Sequence, residues 1–286
     1  MQAIKNGKAA ALINEFGAEL KSYKIKSEEL IWQSDPSIWS GSAPILFPVI
    51  GRLKKKSYLY NGKVYKMPKH GFATKNFFDV VDKSESSVRL SFESDEEVKV
   101  FYPFDFKFDV KFSILESGRL TVDYEVRNND SVLMYFSIGS HPGINIPTED
   151  SVLDDYYIEF ETNETLYPYK LVNELLERQE IPYLSDEKII KLHKNIFNED
   201  ALIFTNVKSR NIYVKNNKTG RNVKVGITNH PDLGIWAKPS ASYVCIEPWF
   251  GHDDPVDVSG HIENKPGILT LEPGNVFKTG YSIELA

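Results

Sequence analysis

The chain is 286 residues long, 41% hydrophobic, with a formal net charge of -6. That length and apolar content allow one large core, so the expectation is a single domain over residues 1–286. The acidic balance excludes a general nucleic-acid surface and an anionic-membrane surface, both of which need excess Lys and Arg, and points to a small-molecule partner.

The N-terminal stretch "MQAIKNGKAAALINEFG" has only a short apolar run before Asn14 and Glu15, too short for the core of a secretory leader. No segment approaches the roughly eighteen apolar residues of a membrane span. Farther on, "SYLY" and "KVYKM" flank Asn61-Gly62, a strong two-residue turn signal, and predict a hairpin. "SSVRLSFES" predicts another strand. In "KFDVKFSIL", Phe108, Val110, Phe112 and Ile114 share one face, and after "ESG" the run "RLTVDYEV" aligns Leu120, Val122, Tyr124 and Val126. That is a second hairpin. The best helical pattern is "SDEKIIKLHKNIF" from Ser185, where Ile189, Leu192 and Ile196 can share a face. "NIYV" pairs with "NVKVGI" across "KNNKTGR", and "GILTLEPGNVFKTGYSIELA" closes the chain with further strands. Strand signals spaced this regularly predict an all-β sandwich or barrel. Cys245, the sole cysteine, lies in the apolar "YVCIEP" and reads as a buried thiol, which with the missing leader suggests a cytoplasmic protein. Aromatic residues make up 13% of the chain, enough both to fill such a core and to offer a ring face to the C–H face of a sugar.

Six histidines are present. His193, in the predicted helix, and His261, in a polar loop, read as surface residues. His70 sits in "MPKHGFAT", after the Asn-Gly hairpin. His141 sits in "SIGSHPGINIP", between Ser140 and Pro142, and the proline favours an extended backbone there. Both stand at strand ends, where all-β proteins display functional groups on loops. A ring in such a place can be a hydrogen-bonded wall residue, a metal ligand or a proton donor, and the residues alone leave all three open. Glu247, in "ASYVCIEPWFG", ends an apolar strand, where burial would raise its pKa toward that of a neutral-pH base; the alternative is a solvated carboxylate paired with a lysine. Asp200, in "NEDALIF", can orient a hydroxyl or merely terminate a helix. Arg52, in "FPVIGRLKKK", offers a planar fork to vicinal hydroxyls or a phosphate. Trp249, two residues beyond Glu247, is a candidate substrate-binding ring.

The series "APILFPVIGRLKKKSYLYNGKVYKMPKHGFA", "SIGSHPGIN", "NEDALIF" and "YVCIEPW", in that order, resembles the aldose 1-epimerase superfamily, and more closely its LacX-type branch. The motifs are short, and their order and joint composition carry the likeness. The resemblance implies a large twisted antiparallel β-sandwich and interconversion of the α and β anomers of an aldose, with no metal and no other cofactor. It assigns His141 as general acid, Glu247 as general base and His70 as the second histidine on the ring-oxygen side of the sugar. Arg52 and Asp200 match positions that bind substrate hydroxyls. The sequence departs from galactose mutarotases at "GRLKKK", where they carry Asn-Arg-Ile, and at "HGFA", where they carry His-Gly-Gly, so galactose preference is not implied.

Mutarotation needs a proton taken from the anomeric hydroxyl while another reaches the ring oxygen, which is work for an acid and a base tuned near working pH. The sequence contains no His-x-His metal motif, P-loop or Gly-rich Rossmann turn. Three other readings are compatible with the residues. A hexose 6-phosphate mutarotase would need a basic pocket, with Arg52, Lys54, Lys55, Lys56 and Lys238 as candidates. A glycosidase would use two carboxylates, Glu247 with Asp200. A non-catalytic sugar-binding module would stack its ligand on Trp236, Trp249 and Phe250. Oligomeric state is not encoded in any of these patterns.

Overall fold

Every second residue from Phe106 to Ile114 is buried, and the same alternation recurs from Leu120 to Asn128. Each strand therefore presents one apolar face, and the two pair antiparallel from Phe106 opposite Asn128 to Ile114 opposite Leu120. The structure, a computed structural model, describes residues 1–147, 152–239 and 241–286. The hairpin lies within a nine-stranded sheet ordered Leu184–Lys191, Tyr156–Leu166, Asn211–Asn216, Asn222–Gly226, Val276–Leu285, Leu120–Asn128, Phe106–Ile114, Ser87–Glu93, Asp79–Lys83. The hairpins expected across Asn61-Gly62 and across "KNNKTGR" are both present, as Ser57–Tyr60 with Lys63–Lys66 and Asn211–Asn216 with Asn222–Gly226.

A second, eight-stranded sheet runs in the order Leu175–Arg178, Tyr169–Val172, Leu202–Phe204, Asp232–Trp236, Tyr243–Phe250, Ile138–Ser140, Ile45–Leu46, with Gly143–Asn145 also pairing to Tyr243–Phe250. All strand pairings within both sheets are antiparallel. The sheets stack on aromatic rings: Phe47 lies 4.8 Å from Phe108, and Phe250 lies 5.2 Å from Phe277. Full burial of a ring such as Phe47 or Phe108 contributes roughly 1.5–3 kcal/mol of transfer free energy. A buried hydrogen bond between Tyr124 Oη and Ser140 Oγ, 2.7 Å, ties the layers directly beside His141. The result is the antiparallel β-sandwich expected from the sequence. Among the described residues no helix is long and apolar enough to cross a membrane.

The helix predicted from Ser185 is not formed. Leu184–Lys191 is a strand at the edge of the nine-stranded sheet, with Ile190 opposite Ile158. Ile189 and Ile190 are β-branched, and ladder bonds to a long neighbouring strand outweigh the weak preference of a short amphipathic segment for helix. His193 is exposed, as expected, but on the turn that follows.

Candidate active site

Tyr243–Phe250 is buried along its whole length: the other sheet covers one face, and on the other Glu247 lies in the cavity wall while Leu46, Ile50, Leu176 and Ile203 pack over Trp249. Strand alternation points Val244, Ile246 and Phe250 toward the core between the sheets and Cys245, Glu247 and Trp249 away from it. A cavity of about 790 Å³ opens over this outer face, with Glu247, His141, His70, Trp39, Trp236 and Asp253 among its walls. That volume lies in the range of small-molecule sites.

Glu247 is 1% exposed and sits opposite Gly234 in the ladder. Burial pushes its carboxyl well above the ordinary range; Lys69 opposes the shift, while Asp253 and Asp200 add to it. His141 is fixed by its backbone N–H, which donates to Pro44 O at 3.0 Å. Its Nε2 lies 3.1 Å from Glu247 Oε2, off the line a hydrogen bond requires, and both Glu247 Oε2 and His141 Nδ1 are buried without a hydrogen-bond partner. Burial first, and Lys69 second, lower the His141 pKa to about 3.

His70 takes a left-handed backbone, φ 63°, and is followed by Gly71 at φ 76°, where an added Cβ would fall 2.1 Å from Phe47 O. This turn swings the ring to 5.9 Å from His141, perpendicular to it. Its Nδ1 accepts the Gly51 N–H at 3.1 Å, so in the neutral ring Nε2 carries the proton and can donate. Burial, then Lys69, His141 and Arg52, hold His70 well below its usual pKa and therefore neutral at pH 7.

Aromatic rings flank His141. Trp39 lies 5.0 Å and Trp236 5.6 Å from its ring. Trp39 is held by its carbonyl, which accepts the Trp32 Nε1–H at 3.0 Å, and the loop after it by the Glu19 carboxylate, which accepts the N–H groups of Ser42 and Ala43. Gly41 leaves room for the ring, since a Cβ there would stand 2.6 Å from Trp39 Cζ2. Asp253, 4% exposed, accepts the Arg52 N–H at 2.7 Å. The loop carrying it is anchored by the buried Lys265, which reaches Asp254 at 2.8 Å and the His252 carbonyl at 2.6 Å.

The structure thus brings together His141, Glu247 and His70, and puts Asp200 on the exposed rim at φ 82°, its carboxylate accepting the Ala201 N–H. Asp200 ends no helix. Arg52 stands off the cavity wall: its guanidinium pairs with Glu174 at 2.8 Å, at the tip of the hairpin formed by Tyr169–Val172 and Leu175–Arg178. Trp249 does not reach the cavity either. It is 3% exposed, packed with Leu46, Ile50, Leu176 and Ile203 against Gly139 and Gly234, and its Nε1 is buried without a partner. Phe250 belongs to the core. Sequence reasoning passed over Trp39, Lys69 and Asp253. Lys69 adjoins His70 and could have been found from that; Trp39 and Asp253 lie in loops whose local sequence carries no chemical signal. The closest approach to a metal-ligand cluster among the described residues is His141, Cys245 and Glu247, whose donor atoms lie within 4.8 Å of one another.

The family model described as aldose 1-epimerase matches residues 1–284. The plasmid form of protein LacX from Lactococcus lactis subsp. lactis is 29% identical over 295 residues, covering 99% of this chain and 98% of its own. Among solved structures, a galactose mutarotase related enzyme from Lactobacillus acidophilus is 33% identical with a TM-score of 0.95, over 100% of this chain and 97% of that one. A galactose mutarotase-like protein from Lactobacillus casei is 30% identical with a TM-score of 0.92 over the full length of both chains.

Proposed function

The chain belongs to the aldose 1-epimerase family, an isomerase family acting on sugars, and on that premise we propose that it interconverts the anomers of a free hexose without a metal, through His141 and Glu247. The observation that carries this is the 3.1 Å approach of His141 Nε2 and Glu247 Oε2, both on the wall of a cavity flanked by Trp39 and Trp236. Work as one unit is part of the same proposal, supported by a hydrophobic cluster that draws on residues from Ile4 to Ile283; a cytoplasmic location is proposed with it, from the single cysteine, Cys245, buried as a free thiol.

The pair holds one proton to give and one site to receive. In ring opening, protonated His141 delivers its proton to the ring oxygen while the Glu247 carboxylate takes the anomeric hydroxyl proton, and the C1–O5 bond breaks to the aldehyde. The pair is then neutral, with the proton on Glu247, which is the form burial favours through a raised Glu247 and a lowered His141 pKa. Rotation about C1–C2 presents the other carbonyl face, and reclosure returns each proton with roles reversed. The same burial disfavours the ion pair that begins the cycle, so its formation, by passage of the Glu247 proton to His141 across the 3.1 Å gap, precedes ring opening. His70, neutral and presenting Nε2–H, donates to a sugar oxygen without competing for the proton. Asp200 on the rim receives a hydroxyl.

A hexose 6-phosphate is the second reading, favoured by Lys69 and Lys238 on the cavity wall. Arg52 is engaged elsewhere, by Glu174. NMR anomer exchange with glucose, galactose and their 6-phosphates separates the readings. Faster exchange of the free sugars supports the first; acceleration confined to the phosphates supports the second; no acceleration of any of them refutes both.

A further inference from the structure

We propose that a zinc-like divalent cation binds at the His141–Glu247 wall of the cavity through His141 Nε2, Glu247 Oε2 and, from behind that wall, Cys245 Sγ, and silences the enzyme by occupying its proton-transfer atoms. Cys245 and Glu247 are two residues apart on one strand and share its outer face, so the thiol lies beside the carboxyl, buried behind the cavity wall within the hydrophobic cluster. The three donor atoms fall within 4.8 Å of one another. Tetrahedral zinc with ordinary Zn–N and Zn–O lengths holds those two ligand atoms about 3.3 Å apart. The observed separation of His141 Nε2 and Glu247 Oε2 is 3.1 Å, and a movement of Cys245 Sγ by about 1 Å completes the three-ligand set.

A second observation points to a ligand at the same place. Glu247 Oε2 is buried, in a residue 1% exposed, and has no hydrogen-bond partner. Such an oxygen is costly to leave unpaired, and a cation satisfies it. Charge balance selects a divalent ion. Binding releases the Cys245 thiol proton and the one proton held by the His141–Glu247 pair, which leaves a thiolate, a carboxylate and a dication with no net charge in a dry site. Among divalent ions the N, O, S donor set suits zinc or cadmium and disfavours magnesium and calcium, which take oxygen ligands. The fourth position is left to water.

The test titrates chelator-treated protein with cadmium and follows the ultraviolet cadmium–thiolate charge-transfer band, then measures zinc inhibition of anomer exchange. The expected result is a saturating band, displaced by zinc, with inhibition competitive against sugar. Cys245→Ser and Cys245→Ala should abolish the band and weaken cadmium binding by about tenfold or more. Should neither variant fold, Glu247→Gln serves instead, with weaker binding but the band retained. A cadmium complex without the band in the wild type overturns the proposal, as does unchanged affinity in Cys245→Ala or Glu247→Gln. The band is read without sugar turnover, so failure of the epimerase reading and failure of the metal site give different results.

Discussion

Gly234→Ala tests whether packing beneath the site holds the catalytic geometry. Gly234 lies opposite Glu247 in the ladder, and a Cβ there would stand 2.6 Å from Trp249 Cη2 and 2.7 Å from Cζ2. Ordinary contact begins at 3.4 Å, so ring or strand must yield by about 0.8 Å. The ring cannot swing freely, because Leu46, Ile50, Leu176 and Ile203 enclose it. Overpacking of this kind costs about 1–3 kcal/mol of stability. If Asp232–Trp236 moves instead, Glu247 moves with it relative to His141, and a displacement near 1 Å at a reacting pair lowers turnover by up to about 100-fold. Polarimetry should show a fall in kcat larger than any change in KM, and urea denaturation should show a lowered midpoint with an unchanged slope. A Gly234→Ala enzyme with wild-type turnover and stability would refute the claim that Trp249 and Gly234 together set the position of Glu247.

His141→Asn should reduce anomer exchange by about 100-fold or more while leaving the fold intact, as read by polarimetry and circular dichroism. The same residue makes a signed pH prediction. Its folded pKa, about 3, is below the unfolded value of 6.5, so its contribution to stability is present above pH 6.5 and is lost as pH falls toward 3. Between pH 7 and pH 5 the wild type should lose about 2 kcal/mol relative to His141→Asn in denaturant titrations; parallel profiles would contradict a buried neutral ring. Glu247 has the opposite sign, since its folded pKa is raised, so Glu247→Gln should gain stability over the wild type as pH rises above 4.5. Trp39→Ala should raise the KM for sugar about three- to tenfold through the lost ring face, whereas Trp249→Phe should leave KM where it is; the reverse ranking would return Trp249 to the substrate. Arg52→Ala should cost no more than about 1 kcal/mol, because its partner Glu174 is exposed.

Residues whose neighbours in sequence are also their neighbours in space were legible. The Phe106–Asn128 hairpin follows from alternation and a tight turn, and each of the eight residues assigned to its apolar faces is buried. His70, His141 and Glu247 could be singled out by chemical type and strand-end position, and the family likeness tied them together. Trp249 was misplaced for a long-range reason. It shares the outer face with Glu247, but Leu176 from a hairpin more than seventy residues earlier in the chain lies over it. Arg52 was likewise drawn away by Glu174, a partner no local pattern reveals. Leu184–Lys191 reads as a helix in isolation because its strand character comes from the Tyr156–Leu166 edge it joins.

The most direct test of the central claim is polarimetry of freshly dissolved α-glucose and α-galactose with the wild type and with Glu247→Gln. The account predicts that the wild type accelerates the approach to the equilibrium rotation of at least one sugar and that the variant, still folded, does not. Equal acceleration by both proteins would contradict the assignment of Glu247 as a proton carrier.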